Sequence, residues 1–198
     1  LDDPEATAEA IDNDGWLHTA DIGYFTRKDG LIITGRSKSM IVLSSGKKVF
    51  PEELELLLNR HELVRDSLVF GHEGASGEIV ITAKIVIDEE KLRELKGAEA
   101  TEEDVVRSIS SIIDEVNRNL PTFKSVRSYF YSFKDMVRTT TLKVRRGVEL
   151  QNIEEIFAKT KVSWQTLRGQ NIDHFMEKYV HGSGVLPVEQ RDPKIADR

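Results

Sequence analysis

Two apolar runs constrain how this chain can fold. "DSLVFGH" (residues 66–72) and "GEIVITAKIVID" (77–88) each read as a buried β-strand, with a loop around Glu73 to Gly77 between them. Helices are expected on either side. Pro51 suits a first helical turn, Glu52, Glu53 and Glu55 suit the positive end of its dipole, and Leu54, Leu57 and Leu58 form its buried stripe. Residues 101–119 predict a longer helix. There Thr101 and Asp104 make a capping-box pattern, Val105, Ile109, Ile112 and Val116 keep helical spacing, and Leu120–Pro121 stops it. "VRSYFYSF" (126–133) reads as a strand with aromatic alternation, and "VELQNIEEIFAK" (148–159) as a short helix. The order strand, helix, strand, strand, helix, strand predicts a small α+β domain.

Upstream, "GWLHTADIGYFTRKDGLIITGR" (15–36) predicts a β-hairpin. Trp16 and His18 flank its first strand, and the "RKDG" turn ends on a glycine that tolerates positive φ. "SMIVLSSGKKVF" (39–50) predicts a second strand pair turning at Gly46. From Gly182 the chain is rich in Gly, Pro and charge and reads as a mobile tail. The first residues, "LDDPEATAEA", lack a methionine, signal-like charge or an apolar leader core. The chain reads as a piece of something longer, with a cytoplasmic location expected.

Composition narrows the function. The net charge of −6 argues against broad nucleic-acid binding, which needs a basic face. The absence of cysteine excludes disulfides and thiolate metal sites. No apolar run approaches the roughly 20 residues of a membrane-spanning helix. The five histidines show no metal-ligand spacing, and there is no Gly-rich phosphate loop. Trp164 and Phe175 sit in weakly amphipathic sequence, read as packing ahead of membrane contact, with peripheral contact left open.

Four segments, taken in order, resemble the C-terminal part of adenylate-forming enzymes, the superfamily of acyl-CoA synthetases, luciferases and nonribosomal adenylation domains. "GWLHTADIGYFTRKDGLIITGR" resembles the hairpin that closes their large N-terminal domain. "GRSKSMIVLSSGKKVFPEELE" resembles the hinge and the loop after it. "LVFGHEGASGEIVITAKIV" resembles the strand pair of the small domain, and "LPTFKSVRSYFYSFKDMVRTTTLKVRR" the segment presenting a catalytic lysine. "GKKVFPEELE" and "TTTLKVRR" look closest to long-chain fatty acyl-CoA synthetases. The resemblance implies a small mixed sheet flanked by helices, preceded by a hairpin. Residues 1–36 would be the trailing segment of the N-terminal adenylation domain, 37–148 a mobile lid, and 149–198 a helical extension and tail.

It also implies a chemistry. Enzymes of this superfamily join a carboxylic acid to ATP, giving an acyl-adenylate and pyrophosphate, and then pass the acyl group to coenzyme A. By resemblance Lys143 is the cation that offsets charge between carboxylate and α-phosphate. Asp21 would accept the ribose hydroxyls, Arg36 would reach nucleotide oxygens, and Lys38 would be the pivot. Gly46 would let the pantetheine arm pass, with Lys47 and Lys48 near coenzyme A phosphates. The ATP and Mg²⁺ contacts and the acyl tunnel would lie in the larger upstream domain.

Three departures stand out. Val137 replaces a frequent proline, while Leu142 and Ala20 replace glycines; Leu142 removes backbone freedom, so a differently shaped lysine loop is expected. Arg145 and Arg146 are expected to anchor that loop or to meet the partner domain. Each residue also has a plain alternative: an exposed hairpin lysine, a turn aspartate, a surface ion pair, a charged linker, a turn glycine. Two other functions stay open, an acyl-AMP ligase or adenylation domain that loads a carrier protein, and a non-enzymatic α+β interaction module.

Overall fold

The computed structural model describes residues 3–28, 30–97, 99–160 and 163–179, and the expected tail from Gly182 lies outside them. Helix α1 (Pro4–Ala10), not foreseen from sequence, precedes the hairpin of β1 (Asp21–Thr26) and β2 (Gly30–Arg36). The hairpin turns between Thr26 and Gly30, whose φ is +73°. A bulge falls between Ile22 and Gly23, where a Cβ on Gly23 would meet the Ile32 carbonyl oxygen at 2.5 Å. Trp16 and His18 lie before β1, with His18 Nε2 2.9 Å from the Asp12 carboxylate.

A one-turn 3₁₀ segment (Ser37–Ser39) leads to β3 (Ile41–Val42) and β4 (Lys48–Val49), a pair of only two residues each. Helix α2 (Pro51–Leu58) starts on its proline and buries Pro51, Leu54 and Leu58. Then come β5 (Val64–Glu73), β6 (Ile79–Ile87), α3 (Glu89–Lys96), α4 (Glu102–Arg118) and β7 (Ser128–Ser132). The chain continues through α5 (Arg146–Thr160), α6 (Trp164–Leu167) and α7 (Asp173–Tyr179). The predicted capping box is formed at Thr101 and Asp104. Helix α3 was missed, although Asp88 caps it by accepting from the Glu90 and Lys91 N–H groups and Gly97 ends it. Its one buried side chain, Leu92, leaves too short a stripe for periodicity to register.

The main sheet has the order β5-β6-β7, with β6 antiparallel to β5 and parallel to β7. A parallel neighbour needs a long crossover, which α3 and α4 supply. Both faces of the sheet are dry. Val69, Ile85, Ile87 and Tyr131 pack in one core with Leu54, Leu58, Ile109 and Val116 of α2 and α4. Their neighbours in the alternation, Leu68, Phe70, Val86 and Phe130, pack in a second core with Ile153 and Ile156 of α5 and Met176 of α7. Burial on both faces explains the unbroken apolar run of β6. Each fully buried isoleucine such as Ile153 contributes about 1.5–3 kcal/mol.

Helix α5 begins at Arg146, so the division drawn between 148 and 149 falls inside it, and its apolar side closes the second face of the sheet. Trp164 stacks on His72 with ring centroids 3.7 Å apart and lies equally close to Phe157, while Phe175 packs against the second core. No helix among the described residues is long and apolar enough to cross a membrane.

Candidate functional site

The stretch that carries Lys143 is a tight hairpin. The Arg145 N–H donates to the Val137 carbonyl at 2.8 Å, the Thr139 N–H to the Lys143 carbonyl at 2.8 Å, and the Leu142 N–H to the Thr139 carbonyl at 2.9 Å. Thr139 Oγ1 also accepts from the Lys143 N–H at 3.2 Å. Short β-branched residues thus close the turn through side chain and backbone together. Lys143 is exposed at the tip, and among the described residues its ammonium has no hydrogen-bond or ion-pair partner.

Leu142 corrects an expectation. It does not avoid the backbone region that glycine favours, because its φ is +62°. Left-handed backbone costs an L-residue about 1–2 kcal/mol, which the surrounding hydrogen bonds must offset. Ala20, the other replacement of a glycine, has φ +60°, and its carbonyl accepts from the Ser37 N–H at 2.9 Å and the Ser37 hydroxyl at 3.2 Å. Val137 turns its departure to use. Its N–H, which proline would lack, donates to Glu149 Oε1 at 2.7 Å.

Glu149 belongs to the foundation of the hairpin. Its other oxygen takes the Lys84 ammonium at 2.7 Å, and both side chains are buried. A second foundation lies at the outer edge of β5, where Arg146 bridges Glu55 Oε1 (2.6 Å) and the Val69 carbonyl (2.6 Å). Glu55 Oε1 also accepts the Val69 N–H at 2.7 Å, so the two side chains satisfy an otherwise unpaired stretch of strand edge. Burial pushes the Glu55 carboxyl above its ordinary value, and the Arg146 guanidinium opposes that. Sequence reading missed Lys84, Glu149 and Glu55. Lys84 alone carried a signal, as the one charge between Ile79 and Ile87.

Among the other candidates, Asp21 and Arg36 face each other across β1 and β2, with Arg36 Nε 3.1 Å from Asp21 Oδ1. Asp21, Ala20, Ser37 and Lys38 line one cleft of about 550 Å³. Arg36 and Lys38 also line a groove of about 620 Å³ with Val144, Arg146 and Gly147, at the base of the lysine hairpin. The structure therefore brings together Asp21, Arg36 and Lys38, and sets the lysine hairpin beside them, with Lys143 itself lining neither cavity. Gly46 holds φ +77° in the β3–β4 turn, where a Cβ would meet nothing within 4 Å. Lys47 beside it lies over the Phe123 ring, 4.5 Å from its centroid.

Chemically, the partly exposed Asp21 carboxylate fits a pair of vicinal hydroxyls, since it offers only acceptors. Among the described residues no three His, Asp or Glu side chains group as metal ligands.

A mixed three-stranded sheet covered by helices is the fold of the C-terminal domains of adenylate-forming enzymes, and likeness to solved structures bears this out. ATP-bound MatB from Rhodopseudomonas palustris superposes with a TM-score of 0.58 at 26% identity, covering 78% of this chain and 27% of that one. The chain belongs to the AMP-binding enzyme C-terminal domain family, whose profile matches residues 38–159. Among curated relatives, long-chain-fatty-acid–CoA ligase 1 of Cavia porcellus is 33% identical over 183 residues, covering 82% of this chain. The 4-coumarate–CoA ligase 4 of Arabidopsis thaliana is 34% identical over 131 residues, covering 66% of this chain. The chain spans only 26% and 20% of the length of these two relatives.

Proposed function

We propose that this chain is the lid portion of an ATP-dependent long-chain fatty acid–CoA ligase. In the first step a carboxylate oxygen of the acid attacks the α-phosphorus of ATP, and the bond to pyrophosphate breaks. In the second, the coenzyme A thiolate attacks the acyl carbonyl and AMP leaves. The observation that carries the reading is the Lys143 ammonium, exposed and unpaired among the described residues on a hairpin held from below by one buried and one half-buried ion pair. A mobile cation on a rigid base suits a group that must meet two anions and then withdraw.

Asp21 takes the ribose hydroxyls and Arg36 nucleotide oxygens, while Lys38, in its short turn between hairpin and sheet, is the pivot. The Gly46 turn admits the pantetheine arm, and Lys47 stands near the coenzyme A phosphates. Residues 1–36 complete the larger domain, which supplies the ATP and Mg²⁺ contacts and the acyl pocket. What supports a fatty acid over an aromatic one is the likeness of "GKKVFPEELE" and "TTTLKVRR" to long-chain synthetases, while the long-chain and 4-coumarate relatives are equally similar to this chain, at 33% and 34% identity.

The test is made on the complete protein by separating the half-reactions. Lys143→Ala is expected to depress acyl-adenylate formation far more than thioester formation from supplied acyl-adenylate. Equal loss in both steps overturns the lysine assignment. Failure of free coenzyme A to discharge the adenylate points to a carrier-protein acceptor instead. Competition between a long-chain fatty acid and 4-coumarate settles the acid.

A further inference from the structure

The hairpin tip is held by one guanidinium. Arg138 Nη1 donates to the carbonyl of Leu142 at 2.5 Å, and Arg138 Nη2 is paired with the Asp66 carboxylate of β5. Leu142 is the left-handed residue and its carbonyl belongs to the peptide bond entering Lys143, so this contact acts on the backbone that aims the lysine. Asp66 is in turn oriented by the Ser67 N–H, 2.9 Å from its Oδ1, and its side chain is only 14% exposed. Arg138 thus has a buttressed carboxylate on one side and the strained peptide on the other. A planar fork reaches both from separate nitrogens in a fixed geometry, whereas an ammonium must serve both from one rotating nitrogen.

The strand is built to present this brace. The register of β5 on β6 slips between Val64 and Asp66, so Arg65 is an inserted residue. Neighbours in a regular strand point to opposite faces, and a bulge re-aims them. Here consecutive residues both address the segment that leads into the hairpin: Arg65 Nη1 meets Asp135 Oδ1 at 3.1 Å, and Asp66 meets Arg138. The two pairs have opposite polarity, so a one-residue shift of the hairpin along β5 would set like charges together.

We infer that Asp66 and Arg138 are positioning residues for Lys143, a bulge-borne brace that holds the Leu142 peptide in its left-handed turn and so sets the direction of the ammonium. The inference rests on the proposed role of Lys143. It does not require either residue to touch substrate, and it explains how a leucine sits where glycine is at ease.

Two measurements test it. In this chain, Arg138→Met and Asp66→Asn are expected to speed tryptic cleavage after Lys143 several-fold while the midpoint of thermal unfolding stays within about 4 °C, a shift of about 1 kcal/mol or less. In the complete protein the same variants are expected to lower acyl-adenylate formation by about ten- to a hundredfold, the scale of a small misplacement. Thioester formation from supplied acyl-adenylate should stay within about twofold, a split that general loss of structure would not produce. The double variant should be no worse than Arg138→Met alone, since that change already removes both contacts of the guanidinium. If a variant fails to fold, Arg138→Lys serves in its place, keeping the charge and losing the fork. Wild-type cleavage and adenylation in these variants, beside a Lys143→Ala protein that cannot adenylate, overturns the brace. If Lys143→Ala adenylates normally, the role of the lysine falls, and the cleavage rates alone then decide whether the brace exists.

Discussion

The Lys84 ammonium stands 2.7 Å from the Glu149 carboxylate with side chains only 3% and 2% exposed, tying the central strand to the helix behind the lysine hairpin. Glu149 also accepts the Val137 N–H, so one carboxylate joins sheet, helix and hairpin. Removing one partner strands a buried charge. Lys84→Met or Glu149→Gln alone should destabilise by about 3–5 kcal/mol in urea unfolding. The double variant Lys84→Met/Glu149→Leu should recover only part of that, because a desolvated pair contributes little beyond an apolar pair of similar volume while the Val137 N–H loses its acceptor, at about 1–3 kcal/mol.

Ala20 and Leu142 have φ of 60° and 62°, the positive-φ positions among described residues that are not glycine. Relief of left-handed strain, about 1–2 kcal/mol, outweighs the extra unfolded-chain entropy of glycine, about 0.4–1 kcal/mol. Leu142→Gly and Ala20→Gly are each expected to stabilise the chain by about 0.5–1 kcal/mol. Unchanged or lower midpoints in denaturant would contradict the strain.

Burial beneath Trp164 pushes the His72 imidazole down to about 4, against the opposing pull of Glu78. His72 is therefore neutral in the fold and takes a proton in the unfolded chain near its ordinary value of 6.5. The stability it contributes is present above that value and is lost as pH falls towards 4. His72→Phe keeps a ring against Trp164 and should flatten the pH dependence of the unfolding midpoint between 6.5 and 4. An identical slope in variant and wild type would show that His72 does not carry it.

Asp21 holds Arg36 at 3.1 Å and is partly exposed at the mouth of a cleft. With the ribose role proposed for it, Asp21→Ala in the complete protein should raise the KM for ATP by about tenfold or more, the loss of hydrogen bonds to a charged group. The KM for the acid should hardly move. A change confined to stability would make the pair structural only.

The sequence by itself determined the elements whose causes are local. The α4 helix was legible because the Thr101–Asp104 box and the spacing of Val105, Ile109, Ile112 and Val116 lie within one segment. The hairpins were legible because Gly30 and Gly46 mark turns that need positive φ. The family was legible because four short segments keep their order, and with it came Asp21, Arg36 and Lys143 as candidates. What the tertiary structure alone decided was long-range. That α5 covers the second face of the sheet depends on alternation in strands far from it in the chain. That Lys84 meets Glu149, Glu55 meets Arg146 and Asp66 meets Arg138 depends on contacts 65, 91 and 72 residues apart. Periodicity records which side of its own element a residue takes, but an ion pair exists only once two elements pack. The backbone at Leu142 follows the same rule. Its own side chain disfavours the turn, and although Thr139 and Arg138, which bond its peptide groups, are close in sequence, Arg138 is itself held by Asp66, 72 residues away.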